Sequence, residues 1–167
     1  DDLDDDLDDG DEYVDDDEDD GDQRELSDVL DATVSVDDEG AEALLTDGEL
    51  EILGRMPWSS NGTYLVTVSS GDRRAQGIYK PEAAERPLWD FPTGLWRREV
   101  ASYRLARSLG WAIVPPTVER DGPLGVGSLQ FFVPSRFEMH YFTIRDDARH
   151  RRQLEQICLF DLISNNT

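Results

Sequence analysis

The chain has 167 residues, one cysteine and a formal net charge of −22, with 38% of its residues hydrophobic. That length suits one domain of ordinary size, and a single cysteine excludes an intrachain disulfide. No apolar run approaches the roughly 18 residues of a membrane span and no signal-peptide pattern opens the chain, so the reading is of a cytoplasmic protein.

The charge is unevenly placed. Residues 1–40 carry 22 of the 38 acids against one base, Arg24, whereas the remainder holds 16 acids and 15 bases. The acidity therefore belongs to an arm, read as a disordered tail over residues 1–40, because such a stretch buries too little surface to offset its chain entropy and its like charges repel. A calcium loop is the sharper reading of Asp16, Glu18 and Asp20 before Gly21, but its twelfth position falls on Ser27 where an acid is needed, and the match fails.

From Ala41 the character changes. Ala41–Leu45 is predicted as a short helix ended by Asp47-Gly48, and Glu49–Arg55 as a strand whose alternation Leu53 blurs. After the turn-forming loop Met56–Gly62, Thr63–Ser69 and Ala75–Lys80 give two more strands, the last closed by Pro81. Glu82–Gly94, with Pro87 and Pro92, is a loop. Leu95–Leu109 is the clearest helix, with a stripe of Trp96, Val100, Tyr103, Ala106 and Leu109 and a stop at Gly110. Strands over Thr117–Arg120 and Ser128–Val133 flank a turn at Asp121-Gly122-Pro123, and an irregular stretch from Arg136 leads to a helix over Arg149–Ile163. The order β-β-β-α-β-β-α predicts an α+β fold, an antiparallel sheet with one packed helix, followed by the start of a helical region. The domain division is 1–40, 41–134 and 135–167. A chain that lacks an initial Met and stops at Asn165-Asn166-Thr167 after an apolar helix is expected to be a fragment.

Lys80 is the most informative residue: of 16 basic residues it alone is lysine. A compact ammonium at a strand end suits a point contact with phosphate oxygens, where a planar guanidinium does not; a surface lysine is the alternative. Glu99 is its expected partner. It lies in the first turns of the next helix beside Trp96 and Tyr103, where a carboxylate is costly unless paired, and neither Ser102 nor Tyr103 offers it a base. A strand lysine held by a helix glutamate is how kinases present lysine to ATP phosphates. Ser59, Ser60 and Asn61, between the first two strands, could donate to phosphate or form a plain hairpin connection, and neither glycine-rich nucleotide motif occurs in the chain. Asp161 interrupts the apolar face of the last helix and calls for a partner. Cys158, in Ile157-Cys158-Leu159-Phe160, is expected to be a buried free thiol. His140 and His150 lack partners at zinc-ligand spacing, Asn61-Gly62-Thr63 and Asn165-Asn166-Thr167 match the glycosylation pattern only by chance in a chain without a secretory signal, and nothing suggests a nucleic-acid platform.

Several motifs in order resemble a known family: Glu49–Arg55 with Trp58-Ser59-Ser60-Asn61, Tyr79-Lys80-Pro81, Pro87-Leu88-Trp89-Asp90-Phe91-Pro92, Arg98-Glu99-Val100-Ala101, Gly127–Val133, His140-Tyr141-Phe142-Thr143 and Phe160–Thr167. Together they are similar to actinobacterial proteins related to the phosphatidylinositol 3-/4-kinase catalytic domain. The resemblance implies a protein-kinase-like N-terminal lobe over 41–134 and the first helix of a truncated C-terminal lobe. It implies that Lys80 contacts ATP phosphates, that Glu99 orients it, that Ser59, Ser60 and Asn61 line the phosphate-covering loop, and that Phe132-Val133 form the hinge beside adenine. The catalytic aspartate and the Mg2+ ligands are expected beyond Thr167, so this stretch alone should not transfer phosphate. The acceptor is a hydroxyl of lipid or, given a catalytic loop styled like that of HipA-like kinases, of protein. The rival from another class is a non-catalytic pseudokinase-type module whose acidic tail recruits a basic partner.

Overall fold

A computed structural model of the chain describes residues 32–37, 39–57, 59, 61–136 and 138–164. Residues 1–31 and Asp38 of the acidic tail expected over 1–40, with Trp58, Ser60, Phe137 and the terminal Asn165-Asn166-Thr167, lie outside the described residues. Packing begins before Ala41, where the sequence suggested the domain starts. Val34 is buried, and Thr33 ties to the third strand through its backbone N–H to the Arg74 carbonyl (2.9 Å) and through its hydroxyl, which accepts the Arg74 N–H (2.8 Å).

Helix α1 (Ala41–Asp47) precedes three strands, β1 (Glu49–Arg55), β2 (Tyr64–Ser70) and β3 (Arg73–Pro81). A short 3-10 turn (Glu82–Ala84) and a proline-bearing loop lead to helix α2 (Trp96–Ser108). Strands β4 (Thr117–Gly122) and β5 (Gly125–Phe131) follow, then the short helix α3 (Tyr141–Ile144) and helix α4 (Arg151–Ser164). The five strands form one antiparallel sheet in the order β1-β2-β3-β5-β4. The fold is thus α+β, and no helix among the described residues is long and apolar enough to cross a membrane.

Leu53 explains why the pattern of β1 is blurred. Ile52 pairs with Val66 and Gly54 with Leu65, so Leu53 is an extra residue in a β-bulge and stays 43% exposed. The β4–β5 turn begins two residues later than the predicted Asp121-Gly122-Pro123, sharing only Pro123 with it. Pairing continues through Asp121↔Val126 to Gly122↔Gly125, which leaves Pro123-Leu124 as the loop, with the proline ring presetting the first turn position. The stretch from Arg136 contains α3, whose entry is held by the His140 N–H donating to Thr143 Oγ1 at 3.0 Å.

One sheet face carries Val66 and Val68, Ala75 and Tyr79, Leu129 and Phe131, and Val118. These close on Leu44 and Leu45 of α1, and strand alternation turns the intervening residues, Lys80 and Ser128 among them, to the other face. Arg120 fastens α1 to β4 by donating to carbonyls at the helix's C-terminal end, Leu45 at 3.3 Å and Gly48 at 2.6 Å, where a cation is favoured. Helix α2 buries Trp96, Val100, Tyr103 and Ala106 of the predicted stripe but leaves its last member, Leu109, 40% exposed, and ends as predicted at Gly110. That glycine takes φ +68, and the next N–H, from Trp111, reaches back to the Ala106 carbonyl at 2.9 Å.

Candidate functional site

Register decides what surrounds Lys80. Strand β3 pairs Lys80 with Ser128 of β5, so the ammonium and that hydroxyl rise side by side from the same face. Glu99, one turn into α2, answers both. Lys80 Nζ donates to Glu99 Oε1 at 2.6 Å, and Ser128 Oγ donates to Oε2 at 2.8 Å. Both carboxylate oxygens are therefore fixed, one by the sheet's ammonium and one by a fully buried hydroxyl. The Lys80 and Glu99 side chains are each 33% exposed, which leaves the ammonium open to a further anionic partner on its solvent side. Gly127 lets the strands approach this closely, because a β-carbon there would land on the Lys80 carbonyl and within 2.6 Å of the Pro81 Cα.

The β1–β2 loop lies at the same end of the sheet, since Arg55 pairs with Tyr64 and Tyr64 with Tyr79. Ser59 and Thr63 hydroxyls share a hydrogen bond of 2.7 Å that closes the loop on itself. Asn61 Oδ1 accepts the Arg86 N–H at 3.1 Å and Gly62 donates to the Ala84 carbonyl at 2.9 Å, which stitches the loop to the segment that follows Lys80. The Asn61 side-chain carbonyl is thus engaged within the fold and only its amide NH2 remains to serve a ligand. Ser60 lies outside the described residues.

Phe132 and Val133 continue β5. Phe132 donates its N–H to the Gln76 carbonyl at 3.0 Å, and Val133 is 44% exposed. They stand four to five residues along β5 from Ser128, roughly 13–16 Å at the usual strand rise, so a ligand touching both ends must be elongated. Val133 also walls a cavity of about 480 Å3 with Tyr103, Arg107, Trp111, Ile113 and Pro116, which neither Lys80 nor Glu99 lines. At its edge Glu42 Oε2 takes the Tyr103 hydroxyl at 3.0 Å and the Arg107 guanidinium. Burial, followed by the neighbouring Glu42, pushes the Tyr103 phenol above its ordinary value.

The sequence predicted a buried thiol at Cys158, and the structure corrects it: Cys158 is exposed. Helix α4 buries only Phe160 among its described residues, so an apolar neighbourhood in sequence does not become an apolar neighbourhood in space. Asp161 is half-buried on the same helix. A second cleft, of about 360 Å3, separates α4 from α2 and is lined by Arg98, Glu99, Ala101, Ser102, Leu105, Phe160 and Ser164, so Glu99 borders open space on that side as well. Among the described residues no group of three or more His, Cys, Asp or Glu is placed to hold a metal ion.

Two contributors escaped the sequence. Ser128 becomes visible only through the β3–β5 register. The other is Glu85, whose carboxylate reaches the start of α2 from the loop before it, accepting N–H groups from Gly94, Leu95 and Trp96 at 2.9, 3.1 and 2.7 Å. The one available sequence signal was negative: the residue before α2, Leu95, has no side-chain oxygen to cap a helix.

No protein-family model matches the chain, and no solved structure matches it. It is 50% identical over 98 residues to Protein Rv2133c of Mycobacterium tuberculosis (strain ATCC 25618 / H37Rv), a stretch covering 58% of this chain and 34% of that protein. The chain thus spans about a third of the length of the curated relative it matches.

Proposed function

We propose that the α+β unit is the nucleotide-gripping lobe of a kinase-like phosphotransferase, similar to the phosphatidylinositol 3-/4-kinase-related group, that uses ATP and Mg2+ to phosphorylate a hydroxyl of lipid or protein. The observation that carries this reading is the pairing of the only lysine with Glu99 at 2.6 Å, with the second carboxylate oxygen held by Ser128. The fold supports it in outline: an antiparallel sheet presents the lysine, and the helix after the third strand presents the acid. ATP would supply the transferable phosphoryl group. The chain's own contribution is to hold an ammonium at a fixed point, with its counter-charge behind it and solvent in front, where a phosphate can displace water without reorganising the site. Mg2+ finds no ligand set among the described residues, and no role here depends on it.

The test is Mg-ATP binding by the protein and by Lys80→Ala and Glu99→Ala, measured calorimetrically. Losing a charge-assisted hydrogen bond is worth roughly 1.5–3 kcal/mol, so each variant should bind about tenfold or more weakly. Affinity unchanged in both removes the site. The acid content of residues 1–40 favours a second reading, a non-catalytic module that recruits a basic partner. It predicts salt-sensitive association lost on deleting residues 1–31, a deletion that spares Thr33 and Val34, together with no phosphate transfer by any longer form.

A further inference from the structure

Helix α2 starts without a local cap, and its first N–H groups need acceptors. Glu85 provides one from nine to eleven residues upstream in sequence. Its Oε2 takes Gly94 and Leu95, and its Oε1 takes Trp96, at 2.9, 3.1 and 2.7 Å. A carboxylate at the positive end of a helix is favoured beyond its hydrogen bonds. Glu82 seconds it, accepting the Trp96 indole N–H at 2.6 Å and pairing with Arg97 at 3.3 Å. Gly94 makes the approach feasible. It sits at φ +89, and a β-carbon there would collide with the Arg97 guanidinium.

The consequence lies one helical turn further on. Trp96 receives the cap and Glu99 holds Lys80, while Lys80 is separated from Glu85 only by Pro81 and the 3-10 turn Glu82–Ala84. Lys80, that turn, Glu85, the first turn of α2 and Glu99 therefore close a ring through non-covalent joints: Glu85 to the helix start, seconded by Glu82 to Trp96 and Arg97, and Glu99 to Lys80. Releasing Glu85 removes the acceptor of three N–H groups at the helix start and so loosens the turn that carries Glu99. The same segment also holds the β1–β2 loop, through Arg86 to Asn61 and Ala84 to Gly62.

We infer that Glu85 is a positioning residue for the Lys80–Glu99 site: its carboxylate fixes the start of α2 and thereby the place of Glu99 against the ammonium. The functional weight of this rests on the nucleotide reading above, but the geometry does not. A mere cap would stabilise the helix and leave the lysine's surroundings alone, so the decisive readout is the lysine itself. Because Lys80 is the only lysine, protein labelled with 13C-lysine gives one side-chain signal, and amine acylation at a lysine reports one site.

In Glu85→Gln, the Lys80 Cε resonance should move in the direction that Glu99→Gln moves it, and acylation of Lys80 should quicken about fivefold, as expected for loss of a half-exposed ion pair. Glu85→Asp, which keeps the charge on a shorter stem, should fall between Glu85→Gln and wild type, and serves if Glu85→Gln does not fold. Leu44→Ala, which weakens the core on the opposite sheet face, should leave the Lys80 signal in place. A Lys80 resonance and acylation rate unchanged in folded Glu85→Gln or Glu85→Asp overturn the inference, as does an equal displacement in Leu44→Ala. Mg-ATP titration of the same proteins separates the two ideas. Nucleotide affinity unmoved by Lys80→Ala and Glu99→Ala ends the nucleotide reading, while the lysine signal still decides the role of Glu85.

Discussion

The sheet and helix α4 are both rich in apolar residues, yet they treat them in opposite ways. Strands β2, β3 and β5 place Val66, Val68, Tyr79 and Leu129 at no measurable exposure beneath α1. Helix α4 leaves Ile157, Leu159, Leu162 and Ile163 in contact with solvent and buries only Phe160, beside a cleft facing α2. Periodicity reports which side chains share a face, and it does not report whether another surface meets that face. In the sheet the facing surface is α1, nearby in sequence; for α4 none of comparable extent is present among the described residues.

The largest expected effect tests that contrast directly. Leu129→Ala should lower unfolding stability by about 2–5 kcal/mol, through lost burial and the cavity left behind. Leu162→Ala, at a site 72% exposed, should change it by no more than about 0.5 kcal/mol. Urea titrations followed by tryptophan fluorescence measure both, and equal losses would erase the distinction between the regions. Next comes Gly127→Ala, where the added carbon meets backbone and not a flexible side chain. Forcing β5 away from β3 at Lys80 should cost about 1–3 kcal/mol, and it should also disturb the Lys80–Ser128 row while leaving α4 unchanged in hydrogen exchange.

Cys158 sharpens the comparison on the side of α4. As an exposed thiol it should react with an aromatic disulfide in the native protein at a rate close to that in urea, and Cys158→Ser should alter stability by no more than about 0.5 kcal/mol. Strong native protection would mean that α4 has a cover which the sheet-and-helix unit itself does not provide.

What could be read in the sequence follows the range of the interaction. Strands β1 to β3, the stripe of α2 and its stop at Gly110 depend on neighbours within one element, and their positions came out within a residue or two. Lys80 and Glu99 stood out because one was compositionally unique and the other was a carboxylate beside an apolar stripe that had to find a partner. Ser128 and Glu85 stayed hidden for the converse reason. Each matters through a contact set by register or by loop closure, and no local pattern marks it. The β4–β5 turn was misplaced because Asp121 and Gly122 read as turn residues in isolation, whereas strand pairing carried on through both.

The smallest effect belongs to the turn that opens α4. Asp147 accepts the Arg149 guanidinium at 2.6 Å and, as the lesser cause, the Arg149 backbone N–H at 2.9 Å, and these bonds hold its carboxyl down at about 2, from an ordinary 3.8. A depressed carboxyl contributes stability that is fully present above its unfolded value and is lost as pH falls through its folded one. The contribution should therefore be intact above pH 4 and vanish as pH drops through about 2. The carboxylate is partly exposed, so screening keeps the effect slight, and added salt should shrink it further. Other carboxylates titrate in the same window, so only the difference between wild type and Asp147→Asn isolates it. Asparagine can still accept the backbone N–H but cannot pair with Arg149 as a charge. Thermal unfolding by circular dichroism should show the two proteins separated at pH 6 and converging by pH 2, and a separation that persists at pH 2 would mean the clasp acts through shape and not through charge.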